Sequence, residues 1–383
     1  MSLLTEPMLL IGLHLLLLFV ATTAAPPSGA STSPVAACRT SVYPKLCRAL
    51  LAPLRFPADP YSFGQYSVKQ ALKQAQRTSE MLDRLLSPVG TSRSRRISGR
   101  GAGAQALEDC RQLARLNAGY LEVVEAKLGR GRWALSGTEA DHVRALMSAL
   151  VTNQQTCFDG LEEAAASRGS AAAPSPSSEL FAPLANASQV FSVSLELVTS
   201  ALTGKGRNSG NRAGFVPEHH DAGHPVGGRK LAEGTQYRVL EGVRINSSVV
   251  VAKDGSGNFT TVADAISAAP NGTDVEDGYF KIVVREGVYE ENVVVGREKK
   301  NLILVGAGIN RTVVTGNRSV IDGWSTYNSA TFAVHGERFI AVNITFENSA
   351  GPEKHQAVAV RNSADLSTFY RCGFLGYQDT LYA

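Results

Sequence analysis

Apolar residues recur every three or four positions between residues 67 and 202, which is the spacing of one helix face. Four runs show this spacing, and a cap-like Thr138…Asp141 pair opens the third. Their stripe positions are Val68, Leu72, Ala75, Leu82 and Leu85, then Leu107, Cys110, Leu113, Asn117, Leu121 and Val124, then Val143, Leu146, Leu150, Gln154, Cys157 and Leu161, and finally Phe181, Leu184, Phe191, Leu195 and Leu202. Four amphipathic helices with modest connections predict an antiparallel four-helix bundle, to which we assign residues 26–202.

The periodicity disappears between residues 203 and 240, where Gly, Asn, Arg and His dominate, and this composition indicates a linker. Arg229 and Lys230 form a basic pair in it, which is either a processing site or an ordinary basic stretch. His219, His220 and His224 lie nearby, but without Cys or a structured frame they indicate a solvated loop and not a metal site.

From Ser248 onward the period changes to two, with short β-branched runs separated by Gly, Asn and Asp turns. No ten-residue helical pattern follows Ala269, which argues against strands joined by helical crossovers and leaves a sandwich or a β-helix. Phe332-Ala-Val334 echoes Val358-Ala-Val360 after 26 residues, and Phe346 echoes Phe374 after 28. Repeats of this length favour the stacked coils of a parallel β-helix over residues 241–383.

The N-terminus resembles a secretion signal. Residues 8–20 are almost wholly apolar, and Ala24 and Ala25 precede two prolines, so we expect a signal peptide over residues 1–25. The run is short for a membrane span, and an uncleaved anchor is the alternative because the leader contains Glu6 and no Lys or Arg. Seven N-x-S/T triplets fit a glycosylated extracellular product, at Asn186, Asn246, Asn258, Asn271, Asn310, Asn317 and Asn343.

Secretion permits disulfides, and the chain has five cysteines. Cys110 and Cys157 fall on inward stripes of the second and third helices, and Cys38 and Cys47 flank a Tyr-Pro turn, so these two pairs are favoured among three pairings. Free buried thiols are the alternative. The fifth cysteine, Cys372, lies in an alternating strand and is interpreted as an inert buried thiol.

Charge and motifs narrow the candidate chemistry. The formal charge of +4 is too small to indicate nucleic-acid binding, although an acidic polymer could hold a mildly basic protein. The sequence contains no G-x-S-x-G elbow, no H-E-x-x-H and no paired-Cys metal spacing. The remaining polar groups are Gln356, which opens an apolar strand, and Gln378-Asp379. From the residues alone, a structural role for these amides is as well supported as catalysis.

Several sequence blocks resemble pectin methylesterases (pectinesterases), continuously from about residue 249 to 383. They are Ala252–Phe259, Ala330–Val334, Asn343–Asn348, Gly351–Arg361, Phe369–Cys372 and Gly376–Tyr382. Upstream, the segments Ala106–Cys110 and Thr152–Cys157, together with Cys38 and Cys47, resemble the pectinesterase/invertase inhibitor bundle found as a pro-region in such precursors. The family disulfides are the two pairs given above. The tract around Arg229 and Lys230 resembles the family's processing motif, with Ala232 in place of an aliphatic residue.

The resemblance implies a right-handed parallel β-helix that hydrolyses galacturonate methyl esters in the homogalacturonan of pectin, without metal or organic cofactor, in the cell wall. Gln356 and Gln378 would donate to the developing oxyanion, each such donor being worth about 2.7–4 kcal/mol. Asp379 would act as general acid and then as base. Thr326 matches a substrate-contact position, as Gln356 also does.

Two further groups of the family site, a nucleophilic Asp and an orienting Arg, would lie beyond Ala383. We therefore expect an incomplete β-helix and little turnover by this chain, because the covalent step needs the nucleophile. The alternatives to a pectinesterase precursor are a non-catalytic inhibitor, whose bundle binds a pectinesterase domain, and a protein that binds pectin without turnover.

Overall fold

The computed structural model describes residues 31–54, 57–87, 102–131, 135–166, 178–203, 240 and 242–383. The leader and most of the linker, with Arg229 and Lys230, lie outside the described residues, so what the sequence predicts for them stays a prediction. Within the described ranges, no helix is both long enough and apolar enough to cross a membrane.

The described residues before position 204 form six helices. They are α1 Pro34–Ala37, α2 Pro44–Leu51, α3 Pro60–Leu86, α4 Ala102–Gly129, α5 Gly137–Ala166 and α6 Ser178–Thr203. The four long helices pack in a ring, in which α3 and α5 each contact both α4 and α6, and the predicted four-helix bundle is confirmed. Helix α3 begins seven residues before the predicted run because the Asp59 carboxylate accepts hydrogen bonds from the amides of Tyr61 and Ser62.

Both predicted disulfides are present. Cys110 and Cys157 join α4 to α5 with their Cα atoms 4.7 Å apart, and Cys38 and Cys47 join α1 to α2 at 5.6 Å. The N-terminal pair flanks the Tyr43-Pro44 turn, as predicted, and links two short helices. Pro44 at the first turn of α2 has the fixed φ that suits a helix start.

Among the described residues from 240 onward there is one α-helix, α7 Val262–Ala268, together with short strands. The strands are β1 Ile245–Val251, β2 Tyr279–Val284, β3 Gly287–Glu290, β4 Val293–Val295, β5 Leu302–Gly306, β6 Thr312–Gly316, β7 Phe332–Val334, β8 Ile340–Val342, β9 Thr345–Asn348, β10 Val360–Asn362, β11 Thr368–Tyr370, β12 Gly373–Leu375 and β13 Leu381–Tyr382. They form three parallel sheets, in the orders β1-β2-β5-β8-β11, β4-β7-β10-β13 and β3-β6-β9-β12. Each turn of the chain adds one strand to each sheet, so the predicted parallel β-helix is confirmed.

The register of the coils corrects one of the two predicted repeats. Phe346 pairs with Phe374, as expected, but Phe332 pairs with Val360 and not with Val358. Both pairs are therefore 28 residues apart. The preceding coil is longer because residues 317–331 form a loop between β6 and β7, and this loop carries Thr326.

Left-handed residues form the corners between two pairs of successive strands. Asn343 separates β8 from β9 and has φ 57°, and Arg371 separates β11 from β12 with φ 53°. A left-handed residue breaks the extended backbone, and asparagine tolerates that conformation better than most residues do. Cys372 follows the second corner. It is therefore half-buried at a bend and not inside a strand, and burial raises the pKa of its thiol.

Phenylalanine rings fill the inside of the last coils. Phe346 is fully buried and lies 4.7 Å from Phe332 and 6.1 Å from both Phe369 and Phe374, measured between ring centroids. Because each ring belongs to a different strand, the stack connects successive coils. Burial of such rings and their mutual contacts stabilises the solenoid.

The bundle packs against the side of the β-helix. The Tyr120 hydroxyl of α4 donates to the Ser363 carbonyl at 3.2 Å, and the Arg297 guanidinium donates to the Gly119 carbonyl while lying over the Tyr120 ring. Glycine at position 119 leaves room for this approach, since a Cβ atom there would overlap the Arg297 side chain. Apolar contacts accompany these polar ones, since Tyr327 and Tyr382 of the β-helix pack into a hydrophobic cluster of the bundle.

Candidate active site

The structure brings the two predicted glutamines together on adjacent coils. Gln356 and Gln378 form a parallel bridge, and the Ala357 amide donates to the Gln378 carbonyl at 3.1 Å. Neighbouring strands lie about 4.8 Å apart, so the side chains start one strand spacing from each other. Asp379 follows directly, exposed and with φ 58°. Two amides and a carboxyl are thus carried by neighbouring residues of two adjacent coils. Amides can donate to an oxyanion, and a carboxyl can exchange a proton.

Thr326 lies in the long loop of the preceding coil, beside a 3₁₀ turn over Tyr327–Ser329. The Ser329 hydroxyl donates to the Thr326 carbonyl at 2.8 Å and accepts from the Val358 amide at 3.1 Å. Since Val358 is two residues from Gln356, this hydroxyl connects the Thr326 loop to the segment that carries Gln356. That segment precedes β10, so Gln356 does not open a strand as the sequence predicted.

Asn348 strengthens the same connection. It is 1% exposed, and its amide nitrogen lies 2.9 Å from the Arg318 carbonyl and 3.1 Å from the Val358 carbonyl. Its amide oxygen accepts from the Ala350 backbone at 3.0 Å. The Asn348 side chain therefore holds the Thr326 loop, the segment that carries Gln356 and the turn after β9 in fixed positions relative to one another.

Helices α4 and α5 lie against the loop that carries Thr326. Asp109 of α4 accepts from the Asn328 side-chain amide and bonds the Ser325 hydroxyl. Burial raises the pKa of Asp109 to about 7, although those hydrogen bonds and the Arg361 charge act in the opposite direction. A carboxyl of the bundle is thus buried against the loop that carries Thr326.

A cavity of about 170 Å³ lies between these parts. It is lined by Asp109, Thr156, Asp159, Gly160 and Glu163 of the bundle and by Ser325, Thr326, Tyr327 and Tyr382 of the β-helix. Burial raises the pKa of Glu163, and the negative charge of Asp379 raises it further. The bundle therefore places carboxyl groups next to the surface that holds the candidate acid.

Two family models match the chain. Residues 248–383 match the model described as Pectinesterase, and residues 32–197 match that of the plant invertase/pectin methylesterase inhibitor. The chain therefore combines a region of the pectinesterase family with a region of the plant invertase/pectin methylesterase inhibitor family. It is 44% identical to probable pectinesterase/pectinesterase inhibitor 25 and 42% identical to probable pectinesterase/pectinesterase inhibitor 47, both of Arabidopsis thaliana, over 92% and 91% of its own length.

The chain spans 58% and 57% of the length of those two relatives. Among solved structures, the pectin methylesterase from carrot matches with 50% identity and a TM-score of 0.34, over 35% of this chain and 41% of that one. A mutant of a pectin methylesterase inhibitor from Arabidopsis matches with 15% identity and a TM-score of 0.33, over 44% of this chain and 97% of the inhibitor.

The pectinesterase region also contains a buried polar group that the sequence analysis missed. Arg361 is 2% exposed, its guanidinium carbon lies 3.5 Å from the centre of the Tyr327 ring, and one of its nitrogens lies 3.3 Å from Nε2 of His335. Burial, together with the Arg361 charge, lowers the pKa of His335 to about 3, so this imidazole is neutral at all ordinary pH values. The sequence feature that could have revealed this buried group is an arginine at the end of the apolar run 357–360.

The structure places the predicted site residues on neighbouring coils of the pectinesterase region. Gln356 and Gln378 form a bridge between adjacent coils, Asp379 follows Gln378, and Thr326 lies on a loop bonded to the segment that carries Gln356. Their catalytic and substrate-binding roles stay predictions. Among the described residues, no group of three His, Cys, Asp or Glu side chains has an arrangement that could hold a metal ion.

Proposed function

We propose that this chain forms part of a secreted cell-wall pectinesterase that hydrolyses galacturonate methyl esters of homogalacturonan to carboxylate and methanol. The observation that carries the proposal is the bridge between Gln356 and Gln378, with Asp379 next to them. Gln356 and Gln378 donate to the oxyanion as the ester carbonyl is attacked. Asp379 gives a proton to the leaving methanol and then takes one from water. Thr326 contacts the polymer.

The ester-cleaving step also needs a carboxylate nucleophile and the arginine that orients it. The family resemblance puts both beyond Ala383, so we propose that the 383-residue chain alone turns over little ester. A chimera in which residues 1–383 are followed by the C-terminal part of the 44% identical Arabidopsis relative would supply them.

Methanol release from methyl-esterified homogalacturonan tests this proposal. We expect the chimera to release methanol and the 383-residue chain to release almost none. In the chimera, Gln378→Ala removes one oxyanion donor and should lower kcat about 100- to 1,000-fold. Asp379→Asn should lower it at least as much. An exposed change away from the site, Val294→Thr, is the control. Full turnover by the Asp379→Asn chimera would contradict the assignment.

A second function is favoured by the contacts of the bundle. We propose that the bundle acts in cis as an inhibitor, because Asp109 bonds the Thr326 loop and Glu163 lies near Asp379. Cleavage between the bundle and the β-helix, for which Arg229-Lys230 is the candidate site, would then raise the activity of the chimera. An engineered protease site in the linker tests this, since unchanged methanol release after complete cutting and removal of the bundle would contradict inhibition.

A further inference from the structure

Positive charge is concentrated in the first three helices of the bundle. Residues 31–86, which span α1 to α3, contain eight Lys or Arg and three Asp or Glu, an excess of five positive charges against +4 for the whole chain. One of the eight, Arg55, lies outside the described residues. The basic character of the protein therefore belongs to this region, because the rest of the chain is close to neutral.

The three carboxylates of this region are already engaged. Asp59 caps the start of α3. Glu80 pairs with Arg84 on the same helix at 4.0 Å, and Asp83 pairs with Arg115 of α4 at 2.7 Å. Six cations remain, all of them exposed, and within the described part of the chain none of the six forms an ion pair. They are Arg39, Lys45, Arg48, Lys69, Lys73 and Arg77, and together we call them the basic face.

Three members of the basic face form a stripe along α3. Lys69, Lys73 and Arg77 are four residues apart, so they project from one side of the helix at intervals of about 6 Å along its axis. Tyr66, about one turn before Lys69, packs against the same hydrophobic cluster as Leu46 of α2. The cations of α2 therefore belong to the same part of the bundle as the stripe.

The basic face is separate from the contact between the bundle and the β-helix. In the ring of four helices, α3 lies between α4 and α6. The described hydrogen bonds to the β-helix come from α4 and α5, as those of Tyr120, Asp109 and Thr156 do. A ligand can thus reach the stripe while the bundle stays packed on the β-helix.

We propose that the basic face binds a linear acidic polysaccharide, polygalacturonate, in which every sugar carries a carboxylate. The choice of polymer rests on the proposed esterase function, because hydrolysis of each methyl ester in homogalacturonan leaves one carboxylate on the polymer. A fully esterified polymer is neutral and gains nothing from a row of cations. The basic face therefore retains the protein on polymer that has already lost its esters.

The side chains beside the stripe favour a sugar polymer over a nucleic acid or a lipid surface. Gln70, Gln74 and Gln76 lie next to the cations, and an amide can both donate to and accept from sugar hydroxyls. Single-stranded nucleic acids bind where cations are combined with aromatic rings, and amphipathic helices bind membranes through large apolar side chains. The exposed residues of α3 are all polar or charged.

Binding of the whole 383-residue chain to immobilised polygalacturonate, followed by biolayer interferometry, tests the proposal. The stripe variant combines Lys69→Gln, Lys73→Gln and Arg77→Gln, which removes three positive charges and reverses none. Each exposed ion pair contributes modestly, so we expect the Kd of the stripe variant to rise about 10-fold at low salt. The unaltered chain should lose most of its binding near 1 M salt, where the Debye length is about 3 Å.

The matched control combines Arg115→Gln, Arg130→Gln and Arg144→Gln. It also removes three positive charges, but each of these arginines pairs with a carboxylate inside the bundle. Its Kd should change less than about 2-fold. Circular dichroism reports whether the helices persist in both variants. Equal Kd values for the stripe variant and the control variant would overturn the basic face.

The choice of polymer is tested with three further probes at the same ionic strength. Fully methyl-esterified homogalacturonan should bind the unaltered chain and the stripe variant equally, and a 10-fold difference there would contradict recognition by charge. Tighter binding of the unaltered chain to polyuridylate, or to vesicles that contain phosphatidylserine, than to polygalacturonate would overturn the assignment of the partner.

The binding assay needs no turnover, so its outcome is separate from that of the esterase proposal. If the chimera releases no methanol while the stripe variant loses polygalacturonate binding, then the esterase proposal fails and the basic face stands. If the chimera is active and the stripe variant binds as the control variant does, then the basic face fails and the esterase proposal stands.

Discussion

Replacement of Asn348 by Leu should loosen the candidate site from inside the β-helix. The leucine side chain has the same branching and the same number of heavy atoms, but it cannot donate to the Arg318 and Val358 carbonyls or accept from the Ala350 amide. A buried hydrogen bond contributes about 0.5–1.5 kcal/mol net, and a buried group left unpaired costs about 1–3 kcal/mol. The Val358 carbonyl still accepts from Thr331, so we expect a loss of about 3 kcal/mol in the free energy of unfolding.

Urea unfolding followed by tryptophan fluorescence measures this loss locally. Trp324 lies in the loop that Asn348 holds, and the other tryptophan, Trp133, is replaced by Phe in every sample so that the signal reports the loop. Asn292→Leu is the matched control, because Asn292 is half-buried and its amide nitrogen donates to a single carbonyl, that of Ala330, at 3.2 Å. Its expected loss is about 1 kcal/mol.

Asn348→Asp separates the hydrogen-bond argument from a packing argument. A carboxylate at this position would face the carbonyls that the amide nitrogen now contacts, and burial would raise its pKa. The variant should therefore be least stable at neutral pH and should regain stability as the pH falls, when the protonated carboxyl donates one hydrogen bond. If Asn348→Leu costs no more than Asn292→Leu, or if the Asp variant shows no pH dependence, then the side chain does not hold the loop as argued.

Two further predictions concern the two cores. Replacing Cys110 and Cys157 together by Ala removes a disulfide whose cysteines are 47 residues apart in sequence. In the chain-entropy model this should cost about 4 kcal/mol of bundle stability, measured by urea unfolding followed by circular dichroism. Equal unfolding midpoints for the variant and the unaltered chain would contradict the prediction. Phe346→Ala should cost about 3–5 kcal/mol because the ring is fully buried. The control Val294→Ala, at a side chain 60% exposed, should cost under 1 kcal/mol in the same assay, and similar losses for both would refute the ring-stack argument.

Local patterns predicted the elements whose cause is local. The apolar stripes of the bundle place Val68, Leu121, Leu150 and Phe191 in its core, each at most 1% exposed. The start of α3 was missed because a capping aspartate determines it and the apolar stripe does not begin there. A search for Asp followed by Pro would have placed it correctly.

The coil register could not be read from the sequence with the same certainty. Phe332 pairs with Val360 because the chain crosses from one coil to the next through corners, and a corner does not preserve the alternation of side chains. Val358 repeats the local pattern of Phe332 but lies before the strand, where its amide bonds the Ser329 hydroxyl. A two-residue error is therefore expected wherever the turn between strands changes length.

The candidate site was only half visible in the sequence for a related reason. Gln356, Gln378 and Asp379 were found because polar residues interrupt apolar strands and match family blocks. Asp109 lies on a helix 219 residues away from Asn328, the loop residue that it contacts, and no local pattern marks a contact of that separation.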